Sequence, residues 1–217
     1  MRKQLFRYAL SLVALAALGV GSAITAKADI IVMSGVNNQG TDNVLLNTAT
    51  NVPVVTGSLN QNSLTFGFQA TSTGGNLNAD ASGQAVITAA HSPFTNITFG
   101  LTDGATFTRA VFNLNSASDG TMTIRVTGIN IDGGVFEEIV EVDAEGQNFF
   151  TVDAINGQLI TSITLLAGSG VTFEDLRQVR IGGAAAPGAI PEPATMILLG
   201  TGLAGVAAKV RKRRKAA

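Results

Sequence analysis

Residues 120–128 read GTMTIRVTG, with Met122, Ile124 and Val126 alternating with Thr123, Arg125 and Thr127. Successive side chains of a β-strand point to opposite faces, so this period of two predicts a strand with one apolar and one polar face. The same pattern continues in both directions. Arg109 to Asn115 alternates through Ala110, Phe112 and Leu114, and Thr65-Phe66-Gly67-Phe68-Gln69 sets two aromatic rings on one face. Further runs lie at Ile30 to Met33, Val52 to Thr56, Ala85 to Thr88, Ile97 to Leu101 and Gln178 to Ile181. Asn156-Gly157 separates NFFTVDA from QLITSITLLA and predicts a type I′ hairpin, because both central positions of that turn need positive φ. Asp132-Gly133-Gly134 separates TIRVTGINI from VFEEIVEV in the same way. Phe173-Glu174-Asp175-Leu176 reads as a single helical turn before the last strand, and Ala70 to Asp80 reads as a long exposed polar loop. Roughly ten short strands with frequent turns predict a mainly β fold, a single antiparallel β-sandwich of jelly-roll-like order. No internal repeat of fixed period is present.

That domain is expected over residues 29–183, and the two ends read differently. Residues 1–28 have the zones of a signal peptide: Arg2, Lys3 and Arg7, then the apolar run Ala9 to Val20, then Ala26-Lys27-Ala28. Ala26 and Ala28 are the small residues that signal peptidase recognises, which puts cleavage before Asp29. Residues 184–190 are expected to form a flexible linker. Ala194 to Ala208 is fifteen residues without a charge. As a helix it is about 22 Å long against a hydrocarbon core of about 30 Å, so it spans with help from flanking cationic stems. Lys209, Arg211, Lys212, Arg213, Arg214 and Lys215 follow as a membrane stop, and the positive-inside rule leaves them in the cytoplasm with the rest facing outward.

Removing the ends changes the charge balance. Asp29 to Ala186 keeps 4 of the 14 basic residues (Arg109, Arg125, Arg177, Arg180) and 14 of the 15 acidic ones, a net of 4 − 14 = −10. Nucleic-acid binding rests on neutralising phosphates with Lys and Arg, so nucleic acid is excluded as a partner. The absence of cysteine leaves the redox compartment open, and 158 residues suffice for one core without disulfides.

Pro191-Glu192-Pro193, then Ala194-Thr195, then a Leu/Gly/Ala-rich apolar run, then the Arg/Lys cluster resemble the PEP-CTERM sorting signal of Gram-negative bacteria, over residues 191–215. That motif is also known under an ice-binding name. The resemblance implies an exosortase, a membrane protease-transpeptidase, as processing partner. It implies an inner-membrane intermediate, held by the C-terminal helix, that passes to the cell surface or the extracellular matrix. A structural or adhesive role in exopolysaccharide or biofilm goes with it. The physics of the tripeptide agrees, since two prolines hold Ile190 to Pro193 extended and leave Glu192 as a single recognisable charge. The segment from NFFTVDA to DLRQVRIGG also resembles the closing half of β-sandwich domains carried by some PEP-CTERM proteins.

Catalysis is not expected. The middle has one histidine, His91, and neither cysteine nor lysine, and Gly168-Ser169-Gly170 is too short for a nucleophile elbow. Glu137, Glu141, Asp143 and Glu145 would share one face of a strand, with Glu138 on the other. A glycosidase instead needs two carboxylates across a cleft. The one tyrosine, Tyr8, lies in the leader and there is no tryptophan, which also weakens a lectin reading. A carbohydrate- or calcium-binding module is the alternative to a structural role, and a secreted hydrolase ranks below both. Calcium would take oxygen ligands from Asp42, Asp80 or Asp119 with nearby Asn37, Asn38, Asn43, Asn76 and Asn78, although no stretch fits an EF-hand and the same residues favour turns. No other cofactor is expected. Thr-x-Thr pairs at Thr48/Thr50, Thr71/Thr73, Thr106/Thr108 and Thr121/Thr123 are irregularly spaced, as exposed strand faces rather than a flat ice face would have them.

Overall fold

Alternation dominates the architecture as it dominates the sequence. The computed structural model describes residues 30–187, apart from 61–66, 74, 82–84, 92, 132–133 and 145–146. The signal peptide with Ala26 and Ala28, the motif Pro191 to Pro193, the helix 194–208 and the basic tail lie outside the described residues. Among the described residues every element is a strand: β1 Ile30–Ser34, β2 Thr41–Leu46, β3 Ala49–Val52, β4 Val54–Leu59, β5 Gly67–Thr71, β6 Leu77–Asp80, β7 Val86–Ala89, β8 Asn96–Leu101, β9 Arg109–Ser116, β10 Gly120–Ile129, β11 Val135–Val142, β12 Asn148–Ala154, β13 Leu159–Ala167 and β14 Phe173–Gly182.

All pairings are antiparallel. The first sheet runs β1-β12-β9-β14-β7-β6-β3 and the second β11-β10-β13-β8-β5-β4-β2. Within them, β7-β14-β9-β12 and β8-β13-β10-β11 have the alternation between sheets found in jelly rolls. Strand β2 joins the sheets at a corner, pairing with β14 through Thr41–Asn43 and with β4 through Val44–Leu46. The inner faces close on each other through phenylalanine. Phe99 of β8 meets Phe112 of β9 edge-on at 5.5 Å, Phe112 meets Phe150 of β12 at 5.8 Å, and Phe68 of β5 meets Phe99 at 6.0 Å. Such ring pairs add about 0.5–1.5 kcal/mol each beyond the area they bury. Met122, Ile124 and Val126, and likewise Ala110, Phe112 and Leu114, are fully buried as their alternation predicts.

Turn chemistry is equally local. Asn156 (φ 54°) and Gly157 (φ 82°) form the I′ turn between β12 and β13. The register of β10 against β13 shifts between Thr127 and Gly128, and a Cβ on Gly128 would stand 2.0 Å from the Leu159 carbonyl oxygen. Only glycine lets the two backbones approach so closely.

Three expectations are corrected. Phe173 to Leu176 is strand, not helix. A register shift between Phe173 and Asp175 turns Phe173 and Leu176 both inward, so a bulge reproduces the three-residue apolar spacing of a helix. Ala70 to Asp80 is no continuous loop: Leu77 and Ala79 are buried on β6, which pairs with β3 and β7. Its polarity serves the backbone. Asn51 N–H donates to Asn78 Oδ1 (2.8 Å), and Asn76 Nδ2 donates to the Asn51 carbonyl (3.0 Å). The run Val52 to Thr56 breaks at Pro53, which lacks an N–H, into the ends of β3 and β4. Past Gly183 the chain stays on the fold, since Ala185 and Thr106 exchange both backbone hydrogen bonds (2.8 and 3.0 Å).

Candidate functional site

The outer face of the first sheet carries the polar side chains that alternation turns away from the core. On β9 these are Arg109, Val111, Asn113 and Asn115; β12 sets Asp153, Thr151 and Phe149 beside the first three in register. The loop from Gly35 to Gly40 lies over one end of that face. Asn37 N–H donates to Thr151 Oγ1 (3.0 Å), Thr151 Oγ1 donates to the Gly35 carbonyl (2.9 Å), and Arg109 donates to the Gln39 carbonyl (2.7 Å) while paired with Asp153. Strands β9 and β12 and the Gly35–Gly40 loop thus meet at a groove.

That groove has a volume of about 540 Å³. Val111 and Phe149 form its floor, Val36 and Asn38 come from the covering loop, and Asn43 and Leu45 from β2. Gln178, Val179 and Arg180 of β14 complete one wall. Gln178 is at φ 56°, within the register shift between Arg177 and Arg180, and the shift lets both arginines face outward. Arg180 is fixed by its backbone, in register with Asn43 on one side and Val111 on the other.

The arginines differ in what they touch. Arg109 pairs with Asp153, Arg125 with Glu137 across β10 and β11 (2.5 Å), and Arg177 with Asp175. The hydrogen bonds that the Arg177 guanidinium donates to the Asp175 carboxylate push it above its ordinary range. Arg180 has no carboxylate partner among the described residues and stands half-exposed in the groove. Beside the floor, Asn113 is 1% exposed, and neither its amide nitrogen nor its oxygen has a hydrogen-bond partner.

Of the residues expected to act, Asn38 and Asn43 line the groove, and the acidic ones lie elsewhere. Asp42 is on β2, Asp80 ends β6, and Asp119 sits in the β9–β10 turn, accepting from Ala144 N–H (2.7 Å). Among the described residues no three acidic or histidine side chains converge on a point. Asn37 caps its own loop, accepting from Gln39 N–H (3.3 Å), so turn chemistry occupies that side chain. His91 is exposed in the bend between β7 and β8. Glu137 and Glu141 share the outer face of β11, Asp143 follows the strand, and Glu145 lies outside the described residues. The groove was missed in the sequence, although one signal points to it. Phe149 and Phe150 are adjacent on a strand, so one of the two rings must face away from the core.

Beyond the sandwich, residues 189–214 match the family described as the PEP-CTERM protein-sorting motif. The chain carries a PEP-CTERM sorting segment. A segment of this kind implies export through the membrane and processing by an exosortase. No curated protein matches the chain. Among solved structures it is similar to a family 29 carbohydrate-binding module from Piromyces equi, at 12% identity and TM-score 0.36, covering 70% of this chain and 90% of that one. It is also similar to a family 11 carbohydrate-binding module from Clostridium thermocellum, at 11% identity and TM-score 0.29, covering 77% of this chain and 94% of that one. Scores this low say nothing of what the chain binds. Among the described residues no helix is long and apolar enough to cross a membrane; the expected span 194–208 lies outside them.

Proposed function

We propose that this chain is an exported surface or matrix protein of a Gram-negative cell, handed by its PEP-CTERM segment to an exosortase-type enzyme, with the β-sandwich as its structural or adhesive part. The observation that carries the reading is the match at residues 189–214, which begins just after the last described contacts of the sandwich. In this reading signal peptidase cuts after Ala28, the helix Ala194 to Ala208 holds an inner-membrane intermediate, and Lys209 to Lys215 stop transfer. Moving six such charges through hydrocarbon is prohibitive at about 2.5–3.5 kcal/mol each. From Pro187 to Pro191 the chain reaches at most about 14 Å, so the motif stays near both the domain and the bilayer. The domain itself performs no catalytic step.

The test replaces Pro191, Glu192 and Pro193 together with Ala, Gln and Ala in a host that has an exosortase. Export and membrane anchoring persist, while release or surface transfer is blocked, as read by intact mass and cell fractionation. A triple variant processed like wild type would reduce the tripeptide to a helix cap and end the proposal.

A further inference from the structure

We propose that the groove on the outer face of the first sheet binds a carboxylate-bearing saccharide, with the Arg180 guanidinium gripping the carboxylate. The proposal deepens the adhesive reading above, but it does not depend on how the chain is sorted.

The charge distribution leads to the anion. Asp29 to Ala186 has a net charge of 4 − 14 = −10, so the domain as a whole repels anions, and an anion site must contain its own cation. Three of the four arginines are matched to the protein's own carboxylates. Arg180 lacks such a match among the described residues, and it lines the groove. Its planar fork offers two parallel N–H donors, the geometry that a carboxylate accepts. Because β14 is paired on both flanks at Arg180, the stem of the side chain is already positioned and little backbone ordering is left to the ligand.

The rest of the lining selects a saccharide among carboxylates. Asn38 and Asn43 present carboxamides that both donate and accept, as sugar hydroxyls do, and among the described residues neither side chain has a protein partner. The half-buried Phe149 ring supplies an apolar floor for the C–H face of a pyranose. Val36 and Leu45, each 49% exposed, flank it. A fatty acid would leave the carboxamides unused, and a phosphate would call for more than one cation. At about 540 Å³ the groove falls within the usual range of ligand clefts and takes a short oligosaccharide.

The experiment uses the full-length chain in detergent and isothermal titration against trigalacturonate, trimannuronate and a glucuronate-containing tetrasaccharide. At least one of the three binds at submillimolar concentration. Its methyl ester, which keeps the ring and the hydroxyls but removes the charge, binds about tenfold more weakly or worse. Arg180→Gln causes a similar loss without changing the melting temperature, and Arg180→Lys falls between, because a point charge replaces the fork. Asn43→Ala weakens binding severalfold. No heat from any of the three acids, equal affinity for acid and ester, or an Arg180→Gln variant that binds like wild type overturns the proposal. A Pro-Glu-Pro variant that is still processed sinks the sorting reading alone, and a correctly sorted chain that ignores every uronate sinks this one alone.

Discussion

Asn113 carries a cost on the outer face of the first sheet. It lies in register with Phe149 and Arg177, is 1% exposed, and has no partner for either polar atom of its carboxamide. A buried polar group without a hydrogen bond costs about 1–3 kcal/mol, whereas an apolar replacement of similar shape removes that cost. Asn113→Leu is therefore expected to stabilise the domain by about 1 kcal/mol, which raises the melting temperature about 2–4 °C for a chain of this size. Thermal unfolding followed by circular dichroism checks it, and a lower melting temperature would mean that the amide is satisfied by something else. The sequence could not have singled Asn113 out. In RAVFNLN it occupies a polar position of a clean alternation, which predicts exposure, and a period of two says nothing of what covers the outer face. Phe149 is the contrasting case, since its adjacency to Phe150 did disclose an outward ring.

Strand β11 is the free edge of the second sheet, and its residues show how that edge is guarded. Among the described residues it pairs only with β10, and its pattern leaves Glu137, Glu138, Ile139 and Glu141 exposed, with Ile139 at 70%. An unpaired edge with an exposed isoleucine invites a second chain to add a strand, and charges oppose it because an added strand would strip their hydration. The Arg125–Glu137 pair, with both side chains about half exposed, adds under about 1 kcal/mol to stability, so the glutamates matter more for association than for folding. Glu137→Thr with Glu141→Thr is expected to leave the monomer folded, with a melting temperature within a few degrees of wild type, but to produce concentration-dependent association in sedimentation or size-exclusion runs. A variant that stays monomeric at high concentration would refute the role of those charges. The elements that were legible share a cause with this one. β9 to β13 are long strands, and Asn130, Asn156 and Gly157 in their turns take the positive φ that their residue types favour, so alternation and turn chemistry are both local. β2 pairs with β14, and β3 with β6, across long separations in sequence, so the partner that makes each a strand is not visible from the strand itself. β14 was misread at Phe173 to Leu176 because a bulge imitates helical spacing, and a bulge is set by the neighbouring strand.

For the molecule as a whole, the question is where the sandwich ends and the sorting segment begins. The sequence suggested a boundary after Gly183, since Gly182-Gly183 followed by alanines reads as a spacer. The backbone bonds between Ala185 and Thr106 carry the chain two residues further, and Pro187 packs against Gly104, where its Cγ would stand 3.6 Å from an added Cβ. Composition could not show this, because alanine bonds through its backbone and needs no recognisable side chain. Among the described residues the inward faces of both sheets bury each other, so residues 29–187 produced alone are expected to fold as a soluble β protein. Two exposed backbone hydrogen bonds contribute about 0.5–1.5 kcal/mol each. A fragment of residues 29–183 should therefore melt about 2–12 °C below one of residues 29–187, with the same circular dichroism. Equal melting temperatures would show that the Ala185 bridge adds nothing and that the spacer begins at Ala184. A fragment of residues 29–187 that is soluble only with residues 194–208 attached would show that the sandwich and the sorting segment are one unit, against the independence on which both proposals rest.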